Sequence, residues 1–441
     1  MTAHPASGDR LATRIMIGLG VGVLLGLAVR ALIRHFPALE PHALWLMNEV
    51  FDPFGQIFLR LLFFVVVPLV FGSLTLGVVQ LGRLDRLGPL AARTFALFGL
   101  NMAIGVGLGL LLMNLVEPGA GIDPDTRERM VAEQSASVSQ LRQAAVAQQE
   151  RGFSFSTAVE MFMPRNLLGA VADFQILPLI LFALLVGAAG TLLPDHRRRG
   201  LSHALETLNE LMVRIVHWAL LLAPFAVAAL LSSVVVKYGA AFLGTLLTFA
   251  AGVLAVIALH LFGTMSLWLR LFTRRPLREF FSAVRVILVT AFSTSSSAAT
   301  LPTSIQVSRE KLGVSESTAG FVLPLGATMN MSGTALYEGC VVLFIAQVYG
   351  VELSLVQQLT LLLLAVLSAV AVAGIPGGSL PLIMGLLATF HVPPEGIALV
   401  LGIDRILDMA RTALNVGADV ATACIVDDMT RRDLRPPATV P

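Results

Sequence analysis

The chain has 441 residues, of which 56% are hydrophobic and only 13% charged, with a formal net charge of +2. Its mean hydropathy is +0.82. Soluble domains carry about 25% charged residues, so this balance excludes an ordinary soluble domain, and no basic arm is present to bind nucleic acid. The bilayer is the natural solvent of such a chain.

Apolar stretches long enough to cross about 30 Å of hydrocarbon recur near residues 12–34, 54–80, 90–116, 167–193, 207–234, 240–271, 316–348, 355–390 and 394–426. The first is too long for a signal-peptide core and lacks a clear cleavage site, so it reads as a span. Arginines cluster at Arg83 and Arg86, at Arg197 to Arg199, at Arg270, Arg274, Arg275 and Arg278, and at Arg431, Arg432 and Arg435. The positive-inside rule assigns all four groups to the cytoplasm, with both termini on that side. The polar connector from Pro118 to Arg151, in which Asp123, Asp125 and Glu128 balance the arginines, then falls outside. Cys340 and Cys424 lie far apart in apolar segments and read as small packing residues.

Two C-terminal segments do not read as simple crossings. The stretch from Arg278 to Gly313 breaks at the serine- and threonine-rich residues 293–302, and the stretch around 355–390 breaks at Ala373 to Ser379. Lipid cannot satisfy an interrupted backbone, so such segments are buried in protein or line a cavity. Two re-entrant hairpins are the economical reading, and two kinked crossing helices the alternative. Paired interrupted segments point to a transporter's binding site.

Within residues 326–339, Gly326, Asn330, Ser332, Gly333 and Thr334 interrupt an apolar run. They favour local unwinding, which frees carbonyls for a cation; a close-packing patch of small residues is the other reading. Ser295, Ser296 and Ser297 offer hydroxyls and backbone NH groups to an anion. A serine hydrolase would need a partner base and a nucleophile elbow. His260 is the one histidine within a span with any prospect of that role, and no Gly-x-Ser-x-Gly elbow precedes the cluster. The chain does not read as an enzyme.

The last span carries Asp404, Asp408, Arg411, Thr412, Asn415 and Asp419. At about 100° per residue they share an arc of roughly 100°, one polar stripe that cannot face lipid. A salt-bridge ladder between helices is one explanation, but it would not need the amide and hydroxyl interleaved here. Arg411 presents a planar fork suited to a carboxylate, and Asp408, one turn earlier, suits an ammonium group. Asp419 is a hard oxygen ligand for an alkali cation. Arg405 sits just beyond the stripe's edge, as a snorkelling or ion-pairing residue.

These motifs, in this order, resemble the dicarboxylate/amino acid:cation symporter family. Residues 58–71, 118–122 and 163–173 look like its other landmarks, so the likeness covers nearly the whole chain. The resemblance implies an all-α integral membrane protein with eight transmembrane helices and two re-entrant helical hairpins, and the Arg-rich, Lys-poor composition points to a bacterial inner membrane. It also implies a homotrimer with an elevator mechanism. A scaffold would comprise approximately 12–80 and 155–235, and a transport domain approximately 85–118 and 240–430. By position, Arg411 would hold a side-chain carboxylate and Asp408 the amino group. Asn415, Thr334 and Ser295 to Ser297 would hold the main carboxylate, with Thr412 nearby, and Ile375 and Ser379 would gate the site. One sodium site would use Asp419 with carbonyls of Gly326, Asn330 and Asn415. A second would use carbonyls around Thr328, Met331, Ala369 and Val372.

Two departures bear on coupling. The family usually has Asp where this chain has Ser332, and a Thr-Ser pair where it has Asn101 and Met102. Three changed side-chain ligands argue for one sodium site fewer, or for protons sharing the role. The arginine found elsewhere at the first hairpin tip, or directly after the stripe's second Asp, is replaced by Ser295 and Met409. Asp408 favours an amino acid over an amine-free C4-dicarboxylate, and Arg411 favours an acidic side chain. The function expected is symport of aspartate or glutamate with sodium, with proton coupling, C4-dicarboxylate transport and an anion-conducting channel as alternatives.

Overall fold

The computed structural model describes residues 5–81, 88–122, 159, 163–172, 176–239, 241–370, 372 and 377–433. Every element among them is helical. In chain order they are α1 (Pro5–His35), α2 (Glu40–Leu46), α3 (Asp52–Leu81), α4 (Gly88–Val116), α5 (Leu167–Ala172), α6 (Ile176–Thr191), α7 (Asp195–Tyr238) and α8 (Ala241–Ala258). A π-helical turn, Leu259–Thr264, joins α8 to α9 (Met265–Phe272). Then follow α10 (Leu277–Thr294), α11 (Ser297–Glu310), α12 (Glu316–Met329), α13 (Ser332–Tyr349), α14 (Leu355–Ala369), α15 (Leu380–Thr389) and α16 (Ile397–Asp433).

Among the described residues, six helical stretches are long and apolar enough to cross a membrane: Thr13–His35, Pro37–Val79, Gly88–Val116, Asp195–Tyr238, Phe242–Phe272 and Glu316–Tyr349. The chain is an integral membrane protein. On α1, Gly18 and Gly22 let the helix meet α7 backbone to backbone. A Cβ on Gly18 would stand 2.2 Å from the Pro224 carbonyl oxygen, and one on Gly22 would stand 2.8 Å from that of Ala228. Small residues do this work because lipid supplies no hydrophobic drive between helices.

The buried core divides in two. One part, with Leu62, Val66, Phe249, Phe344 and Leu386, joins α3, α8, α13 and α15. The other, with Phe280, Ile287, Leu323, Val420 and Ile425, joins α10, α12 and the C-terminal half of α16. An ionic clasp closes the second. Arg275 pairs with Asp428 at 2.9 Å, and Arg431 pairs with Asp427 at 2.8 Å. Arg431 also donates to the Gly313 carbonyl at 2.6 Å, and Asp427 accepts from the Ser315 backbone at 3.0 Å. The end of α16 is thus bound to the loop between α11 and α12.

Both interrupted segments are helix pairs. In the first, α10 ends at Ser295, a non-glycine residue in the left-handed region at φ 48. Such a residue costs free energy unless its surroundings fix it, and such residues cluster at ligand clamps. Ser296 then caps α11 by accepting from the Ala299 NH at 3.2 Å. In the second, α14 starts with a capping box of Ser354 and Gln357, and Ser379 is the N-cap position of α15. Ile375 lies outside the described residues, as do Arg83, Arg86, Arg435 and the acidic residues of the polar connector.

Candidate functional site

The glycine- and asparagine-rich interruption becomes a break between α12 and α13 at Asn330 and Met331, neither of which has helical backbone angles. The break lies against α16. A Cβ on Gly333 would stand 2.4 Å from the Arg411 carbonyl oxygen, so only glycine lets these two backbones meet. The Asn415 side-chain oxygen accepts from the backbone NH groups of Gly333 at 2.7 Å and Thr334 at 3.3 Å, and its amide donates to Thr334 Oγ1 at 3.2 Å. One α16 side chain thereby caps the opened start of α13, satisfying donors that a broken helix would otherwise orphan.

Around this crossing a small pocket is lined by Ser295, Ser297, Met331, Thr334, Val372, Gly378, Ser379, Asp408, Arg411, Thr412 and Asn415. Both hairpins, the break and the stripe therefore meet at one point. Ser296 is turned to capping instead, and Ala369 is buried at the end of α14. The pocket encloses about 10 Å³, room for about one water. It is filled by its own charges. Arg411 donates to Asp408 Oδ1 from Nε at 3.0 Å and from Nη2 at 2.8 Å, and its Nη1 lies 3.3 Å from Asp404 Oδ1. The guanidinium also lies over the Tyr337 ring, 4.3 Å from its centroid. A carboxylate entering here competes with Asp408 and Asp404 for the guanidinium of Arg411.

Arg405 does not snorkel. It is 5% exposed and its Nη1 lies 3.4 Å from Asp408 Oδ2. The network Asp404, Arg411, Asp408 and Arg405 runs along a single helix, not between helices as a ladder would.

Further along α16, Asp419 forms a second centre. Its Oδ1 accepts from Asn330 Nδ2 at 2.9 Å, and Asn330 Oδ1 accepts from Asn101 Nδ2 at 3.3 Å. A Cβ on Gly326 would stand 2.4 Å from Asp419 Oδ1, so the carboxylate is pressed onto the bare backbone of α12. Thr328 is exposed and bonds back to the Leu325 carbonyl at 2.9 Å. Beside this centre, among the described residues, Asn101 Oδ1 and Ser332 Oγ have no hydrogen-bond partner, and the buried His260 ring lies against the backbone of α4 at Asn101 and Gly105.

Sequence reasoning missed two participants. Tyr337 under Arg411, and Glu338, which accepts from the Ser368 hydroxyl, lie on a helix buried on nearly every side. Periodicity marks no functional face on such a helix. Asp404 was visible in the stripe, but its pairing with Arg411 was not.

A sequence profile of the sodium:dicarboxylate symporter family matches residues 11–429. The chain belongs to this family. The proton/glutamate-aspartate symporter of Escherichia coli (strain K12) is 31% identical over 427 residues, 94% of this chain and 92% of the relative. The proton/sodium-glutamate symport protein of Bacillus caldotenax is 31% identical over 422 residues, 94% of this chain and 93% of the relative. The C4-dicarboxylate transport protein of Anaeromyxobacter sp. (strain K) is 30% identical over 423 residues, 93% of this chain and 90% of the relative. The family is one of symporters, so its pockets hold cargo in transit.

Proposed function

We propose that this symporter carries an acidic amino acid, aspartate or glutamate, into the cell across the inner membrane together with sodium. The observation that carries this reading is the two-donor hold of Arg411 on one oxygen of Asp408 inside a pocket that both hairpins line. A solute with a carboxylate for Arg411 and an ammonium for Asp408 replaces that pair group for group. Asn415, Thr334, Ser295 and Ser297 then take the main carboxylate, with Thr412 at the edge and Ser379 as a gate, a role the family resemblance also gives to Ile375.

Sodium is bound as co-substrate at Asp419 with carbonyls of Gly326, Asn330 and Asn415. A second ion uses carbonyls around Thr328, Met331, Ala369 and Val372. Eight spans and two re-entrant hairpins accommodate the helices described, in a homotrimer whose scaffold (12–80 and 155–235) stays fixed while the transport domain (85–118 and 240–430) slides. Both termini are cytoplasmic, in accord with the arginine clusters.

Proton coupling is the second reading, favoured by Ser332, Asn101 and Met102 where further cation ligands are expected, and by the unpartnered polar atoms around them. The test is radiolabelled aspartate uptake by the purified protein in proteoliposomes, with sodium, potassium and proton gradients varied independently. Saturable, gradient-driven accumulation is expected. Dissipative flux that never exceeds equilibrium would instead mark a channel.

A further inference from the structure

Asp408 has a guanidinium on each of its carboxylate oxygens. Arg411 holds Oδ1 from the solute pocket. Arg405 approaches Oδ2 at 3.4 Å, and the Gly377 NH donates to the same oxygen at 3.2 Å. Arg405 does not line the solute pocket. It lines a second cavity of about 30 Å³, walled by Phe58, Leu220 and Val227 and shared with Asp404 and Asp408. Its Nε has no hydrogen-bond partner among the described residues. Solute recognition as described above uses Arg411 and Asp408, and it leaves this second arginine without a task.

Charge arithmetic supplies one. Asp404, Arg405, Asp408 and Arg411 sum to zero, and all four are buried. When a solute's carboxylate draws Arg411 away, Asp408 needs another cation, because a buried carboxylate left unpaired is strongly destabilising. The ammonium of an amino acid meets that need. A solute without an amino group does not, and on sequence grounds Asp408 disfavours it. Arg405 changes that balance, because it stays on Oδ2 whether or not an ammonium arrives at Oδ1.

We propose that Arg405 is a resident stand-in for the solute's ammonium, so that the same pocket accepts amine-free C4-dicarboxylates as well as acidic amino acids. The proposal rests on the assignment of Arg411 and Asp408 to the solute, and its test separates the two. Full-length protein in proteoliposomes is assayed for uptake of radiolabelled aspartate and radiolabelled succinate, each competed by the other. The wild type takes up both. In Arg405→Met, succinate affinity falls on the order of a hundredfold, as expected when a buried charge loses its partner. Aspartate, which brings its own ammonium, changes by no more than about threefold, the scale of an exposed or replaceable contact. Arg405→Lys restores succinate.

Aspartate uptake without any succinate uptake in the wild type overturns the stand-in role and leaves the amino-acid reading intact. Uptake of neither solute overturns both. Equal losses for the two solutes in Arg405→Met reduce Arg405 to a packing role. Should that variant fail to assemble, Asp408→Asn decides, since it removes the charge that needs a stand-in. Succinate uptake then persists while aspartate uptake falls, and loss of both refutes the proposal.

Discussion

Two centres on α16, eight residues apart and so about 12 Å along the axis, solve the problem of buried charge in opposite ways. Around Arg411, two carboxylates and two guanidiniums cancel one another. Around Asp419, one carboxylate meets only amides and bare backbone, and among the described residues no cationic side chain pairs with it. The first centre is complete as it stands and can only exchange partners. The second holds a lone carboxylate at membrane depth, where a charge is costly unless paired, and it is the place proposed above for a small cation. In the proposed assignment, solute and ion are separated along one helix by charge balance.

Arg411→Ala breaks the comparison most severely. It leaves Asp404 and Asp408 facing each other without their shared cation, and loss of one partner of a buried pair costs about 3–5 kcal/mol. Aspartate uptake is abolished, and detergent-solubilised protein loses thermal stability in a fluorescence melting assay. Uptake that survives this change refutes the assignment of the first centre. Asp419→Asn acts on the second centre alone. The sodium concentration for half-maximal uptake rises on the order of a hundredfold, the scale of one buried charge contact, while uptake at saturating sodium recovers. A variant whose sodium dependence is unmoved places the ion elsewhere.

Gly326→Ala tests the same centre through shape rather than charge. The added methyl displaces the carboxylate, and sodium affinity falls about tenfold, as for about 1.4 kcal/mol of lost contact. A sodium titration of aspartate uptake measures this, and an unchanged aspartate affinity at saturating sodium shows that the two centres are separable. Ser296→Ala has the smallest expected effect. It removes a helix cap, about 1 kcal/mol, and lowers the melting temperature by a few degrees with little change in uptake. A large transport defect would instead mean that Ser296 touches solute directly.

How much of this was legible in the sequence differs between the same two centres. The polar stripe was readable because Asp404, Asp408, Arg411, Asn415 and Asp419 recur at helical spacing within an apolar run, on a face that cannot meet lipid. The break at Asn330 and Met331 was readable from residues that weaken a helix. The partners were not. Arg405 lies at the margin of the stripe, where spacing alone cannot tell outward snorkelling from inward pairing. Tyr337 and Glu338 belong to a helix with no exposed face to define their direction. The placement of the His260 ring against α4 depends on a π-helical turn that no residue pattern announced.

The contact at Gly333 has a consequence for how this symporter can change over time. Because the backbones of α13 and α16 touch there, the geometry that joins the solute and ion centres resides in main-chain atoms and in the absence of a side chain. Residues 405, 408 and 411 can be exchanged without disturbing it. A lineage can therefore acquire a new cargo by substitutions on one face of one helix while its ion chemistry is inherited unaltered, and a single mutation at Gly333 closes both routes together.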